Sequence, residues 1–218
     1  MENIIDIRRL SKSFGEVKAV DKKTNKVSWK INTGASMFSR VQCYKNIVAV
    51  PSANKELLFV NDKDGRIMDK ISSEGPYVAD GLSVNNFLYQ GGYKKFEKFD
   101  ISSHKLIWKY DSINNYCQAA PVVDGNDVIF GAWDTYLRCL DARTGELKWK
   151  WNNGKSANML GPGNVVPVVT KDRVYVVAPD RYMTAIDRFT GKTIWRNNEH
   201  KYRESLGHSE DYTKIYSK

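Results

Sequence analysis

Five times along this chain a short strand runs into an aspartate or asparagine, the chain turns within four residues, and a second strand leaves toward a position eight residues on. The clearest copies read Cys139-Leu140-Asp141-Ala142-Arg143-Thr144-Gly145-Glu146-Leu147-Lys148-Trp149 and Ala185-Ile186-Asp187-Arg188-Phe189-Thr190-Gly191-Lys192-Thr193-Ile194-Trp195. A third runs from Ala19-Val20-Asp21 through Thr24-Asn25 to Trp29. Two degraded copies lie between them. One runs from Asp100 to Trp108 with Ser103-His104 at the turn, and one from Asn61 to Asp69 with Asp64-Gly65 at the turn and no tryptophan. The anchors at 21, 61, 100, 141 and 187 are 40, 39, 41 and 46 residues apart, the period of one four-stranded propeller blade.

The motif has a physical reading. A carboxylate at a strand end accepts hydrogen bonds from amides two and three residues on, which fixes a turn. Thr-Gly or Thr-Asn then stands where the chain needs a positive φ. A flat indole recurring at one place in each repeat can wedge between neighbouring sheets. Asp21, Trp29, Asp100, Trp108, Asp141, Gly145, Trp149, Asp187, Gly191 and Trp195 are therefore read as structural anchors of the blades.

Short apolar runs bounded by turn residues supply the other strands. They include 46–50, 86–89, 119–123 with 128–130, and 165–169 with 174–177. The expected fold is all-β, a β-propeller of four-stranded antiparallel blades in one domain spanning 1–218. The blades fall near 1–32, 33–72, 73–111, 112–152 and 153–197, with a partial sixth at 198–218. In the first, strands are expected near Ile4–Ile7 and Val17–Val20. In the last, a turn is expected at Ser209-Glu210-Asp211 and a strand at 213–217. Five blades and a part of a sixth suggest a segment of a longer ring, or a ring completed by a second chain. Open blade edges would then favour self-association.

The pattern Ala/Leu-x-Asp-x-x-Thr-Gly-x-x-x-Trp-Lys resembles the pyrroloquinoline-quinone-like (PQQ-like) repeat and covers nearly the whole chain. That repeat occurs in quinoprotein dehydrogenases, in BamB-like propellers of bacterial outer-membrane barrel assembly, and in other bacterial propellers, some joined to a phosphoesterase domain. In the dehydrogenases a quinone and a calcium ion sit in the central funnel beneath a vicinal disulfide. This chain has no adjacent cysteines and no long inserted loops, so neither PQQ nor calcium is expected. A second likeness, of Ile4–Val20 to the opening of an ABC-transporter ATPase, lacks the GxxxxGK[ST] loop that would have to follow. The resemblance to the PQQ-like family implies an exported, periplasmic protein, although the first residues lack the charged and apolar regions of a signal peptide.

Function in such a fold belongs to the loops, which the strands only hold. The face carrying the turns between second and third strands offers Trp133, Asp134, Arg181, Tyr182 and Tyr116, which include the aromatic and arginine types that dominate interfaces. These are the candidate binding residues, for a protein, peptide or glycan. No catalytic, cofactor-binding or metal-ligating residue is expected. Cys43, Cys117 and Cys139 are widely spaced, and His104, His200 and His208 lie on turns or loops. The alternative is an accessory or substrate-binding domain of a larger enzyme, dehydrogenase-like or phosphoesterase-linked. A net charge of +9 permits an acidic partner, but the lysines are scattered, so nucleic acid is not expected. No apolar run is long enough for a membrane-spanning helix.

Overall fold

The computed structural model describes residues 15–198, 206–208 and 215–217. Among them lie four four-stranded sheets and two two-stranded ones, each an antiparallel meander in chain order. The first sheet pairs β1 (Glu16–Val20) with β2 (Val27–Asn32). The second holds β3 (Gln42–Tyr44), β4 (Ile47–Ser52), β5 (Glu56–Asn61) and β6 (Ile67–Ser72). The third holds β7 (Leu82–Val84), β8 (Phe87–Gly92), β9 (Lys95–Asp100) and β10 (Lys105–Tyr110). The fourth holds β11 (Val122–Asp124), β12 (Asp127–Gly131), β13 (Tyr136–Asp141) and β14 (Leu147–Asn152). The fifth holds β15 (Val168–Val169), β16 (Arg173–Val177), β17 (Met183–Asp187) and β18 (Thr193–Asn197). β19 (Leu206–His208) and β20 (Ile215–Ser217) form the sixth.

The protein is thus an all-β propeller of antiparallel blades, as the repeat predicts. The expected strand near Ile4–Ile7 and the turn at 209–211 lie outside the described residues. The first strands of blades two to five approach one another in sequence, so they form the inner rim. These inner strands are two or three residues long, shorter than the apolar runs suggest.

The core lies between blades. Val17, Ala19 and Trp29 of the first pack on Val48, Val50, Leu58 and Val60 of the second. Phe96 and Trp108 of the third pack on Val128, Phe130 and Leu140 of the fourth, with the Phe96 and Phe130 rings stacked at 4.0 Å. Middle strands such as β4 and β12 are buried on both faces and carry unbroken apolar runs, whereas the outer strands alternate. Lysines on the outer strands β6, β10 and β14 discourage pairing with another sheet.

Among the described residues the repeated turn follows one plan in five blades. Asp187 accepts from the Phe189 and Thr190 amides at 3.1 and 2.8 Å, and from the Thr190 hydroxyl at 2.8 Å. Asp21, Asp100 and Asp141 accept equivalent amide bonds, and Asn61 accepts one from Lys63. Four residues after each anchor the backbone is left-handed, at Asn25, Gly65, His104, Gly145 and Gly191. A bulge follows in each hairpin at the same register, adding local twist.

The anchor tryptophans join consecutive blades. Trp29 Nε1 donates to the Asp62 carbonyl at 2.7 Å, Trp108 to Ala142 at 3.2 Å, and Trp149 to Arg188 at 2.7 Å. Each acceptor is the residue after the next blade's anchor. The indole lies flat on the left-handed glycine of that same turn, and a Cβ built on Gly145 or Gly191 would fall 2.7–2.8 Å from the ring. Trp195, the last of the anchor tryptophans, is 37% exposed. Arg188 adds a polar staple between the fourth and fifth blades, bonding Asp127 at 2.8 Å and Asp124 at 2.7 Å.

Candidate binding site on the loop face

The turns between second and third strands, at 53–55, 93–94, 132–135 and 178–182, share one face with the links that carry the chain to the next blade. Backbone hydrogen bonds knit the two sets together. Ser73 donates to Lys55, Lys94 to Asn115 and Trp133 to Tyr116. The links between first and second, second and third, and third and fourth blades surround a hollow of about 660 Å³ lined by Phe38, Val78, Asp80, Asn115, Tyr116, Gln118 and Trp133.

Much of this lining is fixed from behind. Trp133 donates its indole N–H to Gln118 Oε1 at 2.8 Å, which orients the ring. Asn115 Nδ2 donates to the Trp133 carbonyl at 3.3 Å. The Tyr116 ring lies 4.6 Å from that of Tyr93, and a backbone bridge pairs the two residues. Arg40 closes the far side with its Nε 3.1 Å from Asp80 Oδ2. Phe38 and Tyr116 stay exposed, so two aromatic side chains and the oriented Trp133 are presented without moving the backbone.

Beneath the neighbouring link lies a buried polar cluster. Lys95 Nζ is 2.7 Å from Glu97 Oε2, contacts the Ser73 hydroxyl, and sits 4.4 Å from the Tyr77 ring centre. The Tyr77 hydroxyl donates to Glu97 at 2.7 Å. Burial pulls the Lys95 ammonium below its ordinary value, with Glu97 opposing. Burial and the Glu97 charge both push the Tyr77 phenol up. The cluster has its partners internally, which suits a role in holding the 73–77 link.

The five sequence-derived candidates separate. Tyr116 and Trp133 meet in the hollow. Asp134, next to Trp133, turns inward: Arg138 grips it with both guanidinium nitrogens at 2.9 and 2.5 Å, and the Asn114 and Tyr136 amides donate to it. Burial raises the Asp134 carboxyl, but the Arg138 fork together with the Asn114 and Tyr136 amides outweighs it and the net shift is downward. Tyr182 and Arg181 sit on the fifth blade. There Arg196 stacks over the Tyr182 ring at 4.6 Å and pairs with Asp180 at 2.5 Å. Phe38, Val78, Asp80 and Gln118 carry no repeat motif, and only the fold brings them to the site.

This architecture defines a PQQ-like β-propeller whose candidate site is an aromatic hollow between blades. A family profile described as outer membrane protein assembly factor BamB matches residues 69–198 and 150–217. Those matches cover more than half of the chain, and the protein belongs to that family. Among solved structures, the crystal structure of BamB from Moraxella catarrhalis superposes with a TM-score of 0.70 at 17% identity, covering 87% of this chain and 57% of that one. The crystal structure of the computationally designed Ika8 protein also gives 0.70 at 17% identity, covering 90% of this chain and 60% of that one. The chain thus spans about three-fifths of the length of these structures. No curated protein sequence matches it. Among the described residues no helix is long and apolar enough to cross a membrane.

Proposed function

We propose that the chain is a non-catalytic propeller module that binds a protein partner through its loop face, with the Phe38–Tyr116–Trp133 hollow as the anchoring pocket. The observation that carries this is the hollow itself. It is a preformed aromatic depression spanning the links of successive blades, with its indole held by Gln118. Aromatic side chains on a rigid scaffold offer large contact area at small entropic cost. The family description, an assembly factor for outer-membrane proteins, supports a protein as partner and an exported location.

The donor set supports leaving quinone and calcium out of this reading. Asp134 and Asp180 are occupied by Arg138 and Arg196. Cys117 and Cys139 are both buried and unpaired with each other. Among the described residues no three His, Cys, Asp or Glu side chains gather as a metal would need.

The test is selection of binders from a random peptide library against the whole chain. Selected peptides should lose affinity about tenfold or more in Trp133→Ala and Tyr116→Ala, the scale of a hot-spot side chain, and keep it in Arg143→Ala on the opposite face. Binders that map to the opposite face, or a glycan array that gives ligands where the peptide library gives none, would overturn the proposal.

A further inference from the structure

The turns of the two faces differ in what they place at left-handed backbone positions. On the face away from the hollow, those positions hold Asn25, Gly65, His104, Gly145 and Gly191 in the repeated turn, and Lys45, Asn85 and Gly125 between first and second strands. Glycine and asparagine, which adopt this conformation most readily, fill six of the eight. On the loop face the equivalent position, just before the third strand, holds Gly15 (φ 81°), Lys55 (φ 61°), Lys94 (φ 58°), Thr135 (φ 76°) and Arg181 (φ 68°). Three of these five are cations, and one, Gly15, is a glycine. Local backbone preference does not explain the cations, because glycine would relax each of their turns.

All three cations are exposed. Among the described residues none of them has a carboxylate within ion-pair distance. Lys94 stands at the edge of the hollow, 5.3 Å over the Tyr93 ring that packs on Tyr116. Arg40 stands at the opposite edge and is exposed apart from its Asp80 contact. The loop-face acids are mostly withdrawn. Asp134 and Asp180 are sunk under arginines and Asp80 faces Arg40, while Glu74 reaches Lys109 at 3.4 Å but stays exposed. Glu74 and Asp111 remain as exposed acids on this face. The turn cations thus stand on the second, third and fifth blades, and the acid in the wall of the hollow, Asp80, is matched by Arg40.

Resting on the loop-face reading above, we infer that this surface takes an acidic, extended polypeptide segment with one apolar anchor. The anchor seats among Phe38, Tyr116 and Trp133, and carboxylates on either side meet Lys94, Lys55 and Arg181. Charge complementarity selects the partner and speeds its encounter, and the hollow supplies the desolvated contact. The arrangement favours polypeptide over nucleic acid. The cations are isolated points set around a hollow and not a continuous stripe that could track a regularly charged phosphate backbone.

The experiment uses the whole chain and four labelled synthetic peptides: acidic with a tryptophan anchor, acidic without it, neutral with it, and basic with it. Fluorescence anisotropy should rank the first tightest, with affinity falling as salt rises. The triple variant Lys55→Gly, Lys94→Gly, Arg181→Gly removes the charges and relaxes the turns, so it should unfold no earlier than the parent. It should bind the acidic anchored peptide at least about tenfold more weakly. Equal binding of the neutral and acidic anchored peptides, unchanged in the triple variant, would overturn the charge inference and leave the pocket reading standing. Binding of no anchored peptide, or binding that ignores Trp133→Ala, would overturn both. Tight, steeply salt-dependent binding of single-stranded DNA with none of the peptides would replace the partner with nucleic acid.

Discussion

The indole of Trp108 lies flat on Gly145 of the following blade, so close that a Cβ there would fall 2.7 Å from the ring. The same turn gives up its Ala142 carbonyl to the indole N–H at 3.2 Å. One residue thus provides apolar packing, a hydrogen bond and the spacing between two sheets. Gly145→Ala meets two obstacles at once. Its φ of 77° costs an alanine about 1–2 kcal/mol, and the methyl must displace a ring held by its own hydrogen bond. The variant should lose about 2–4 kcal/mol, lowering Tm by about 2–4 °C per kcal/mol for a chain of this size. Trp108→Ala should lose about 3–5 kcal/mol. Differential scanning calorimetry checks both, and a Gly145→Ala variant as stable as the parent would refute the close fit.

Much of this fold is legible in the amino-acid sequence alone. The aspartate, the turn four residues on and the aromatic at eight are local, and a local pattern repeated at a fixed period survives in one sequence. The partner of each tryptophan is not legible, because it stands in the next repeat across a seam. Asp69 and Ser103-His104 accordingly read as two separate lapses of the motif, although they face each other. The site divides the same way. Trp133 and Tyr116 belong to residue types worth singling out in loops, and they meet. Phe38 and Asp80 lie in links with no motif, and only the succession of blades carries them to the hollow. Asp134 reads as available for binding, but sequence cannot show that Arg138, four residues on, turns it inward.

The repeated turn makes stability depend on pH. Asp141 is held below the ordinary carboxylate range by the Thr144 amide first, and Asp187 by the Thr190 hydroxyl and amide. Asp21 is lowered chiefly by the Thr24 amide, and Asp100 by its Ser102 and Asn86 bonds against burial. A carboxyl lowered on folding takes up its proton first in the unfolded chain. Stability is therefore complete above the ordinary value near about pH 4, and is lost as pH falls through the folded values. Asn61 already makes the equivalent turn without a titrating group. Replacing Asp21, Asp141 and Asp187 by asparagine should keep the fold at neutral pH and flatten the decline of the urea midpoint in acid. An unchanged slope would show that other carboxylates dominate.

The Asp134–Arg138 pair beneath Trp133 offers a test of site support. Their side chains are only 9% and 4% exposed, so neither charge can turn to water when its partner is removed. Arg138→Met should cost about 3–5 kcal/mol by stranding the carboxylate. Arg138→Met with Asp134→Asn should recover part of that loss, because a neutral amide tolerates the site better. A chemical-denaturation double-mutant cycle reads the difference. Strictly additive losses would show that the two side chains do not act as a pair.

The seam between the second and third blades is a rearranged version of the others. Where the anchor tryptophan should stand there is Asp69, and where its glycine should stand there is His104, with φ 55°. The imidazole Nδ1 lies 3.4 Å from the Asp69 carboxylate, and the ring stacks on Phe59 at 4.5 Å. Phe59 is the residue paired with Asp69 across the strands, whereas Trp29, Trp149 and Trp195 pair with Ala19, Cys139 and Ala185, and Trp108 pairs with the flexible Lys98. A large ring opposite thus occupies the volume that the missing indole would fill, and His104 closes over it in place of a bare glycine. Converting one residue alone should fail. Asp69→Trp meets both Phe59 and the His104 Cβ and should cost about 1–3 kcal/mol through overpacking, while Phe59→Ala should cost about 3–5 kcal/mol through a cavity. Combining Asp69→Trp, Phe59→Ala and His104→Gly rebuilds the arrangement of Trp29 on Gly65, with Ala19 opposite the indole. Its loss should be smaller than the sum of the three single losses by about 1 kcal/mol or more. Calorimetry of the single, double and triple variants measures that coupling. A triple variant whose loss equals the sum would mean that the three positions do not share one socket, and that this seam is packed on a different principle from its neighbours.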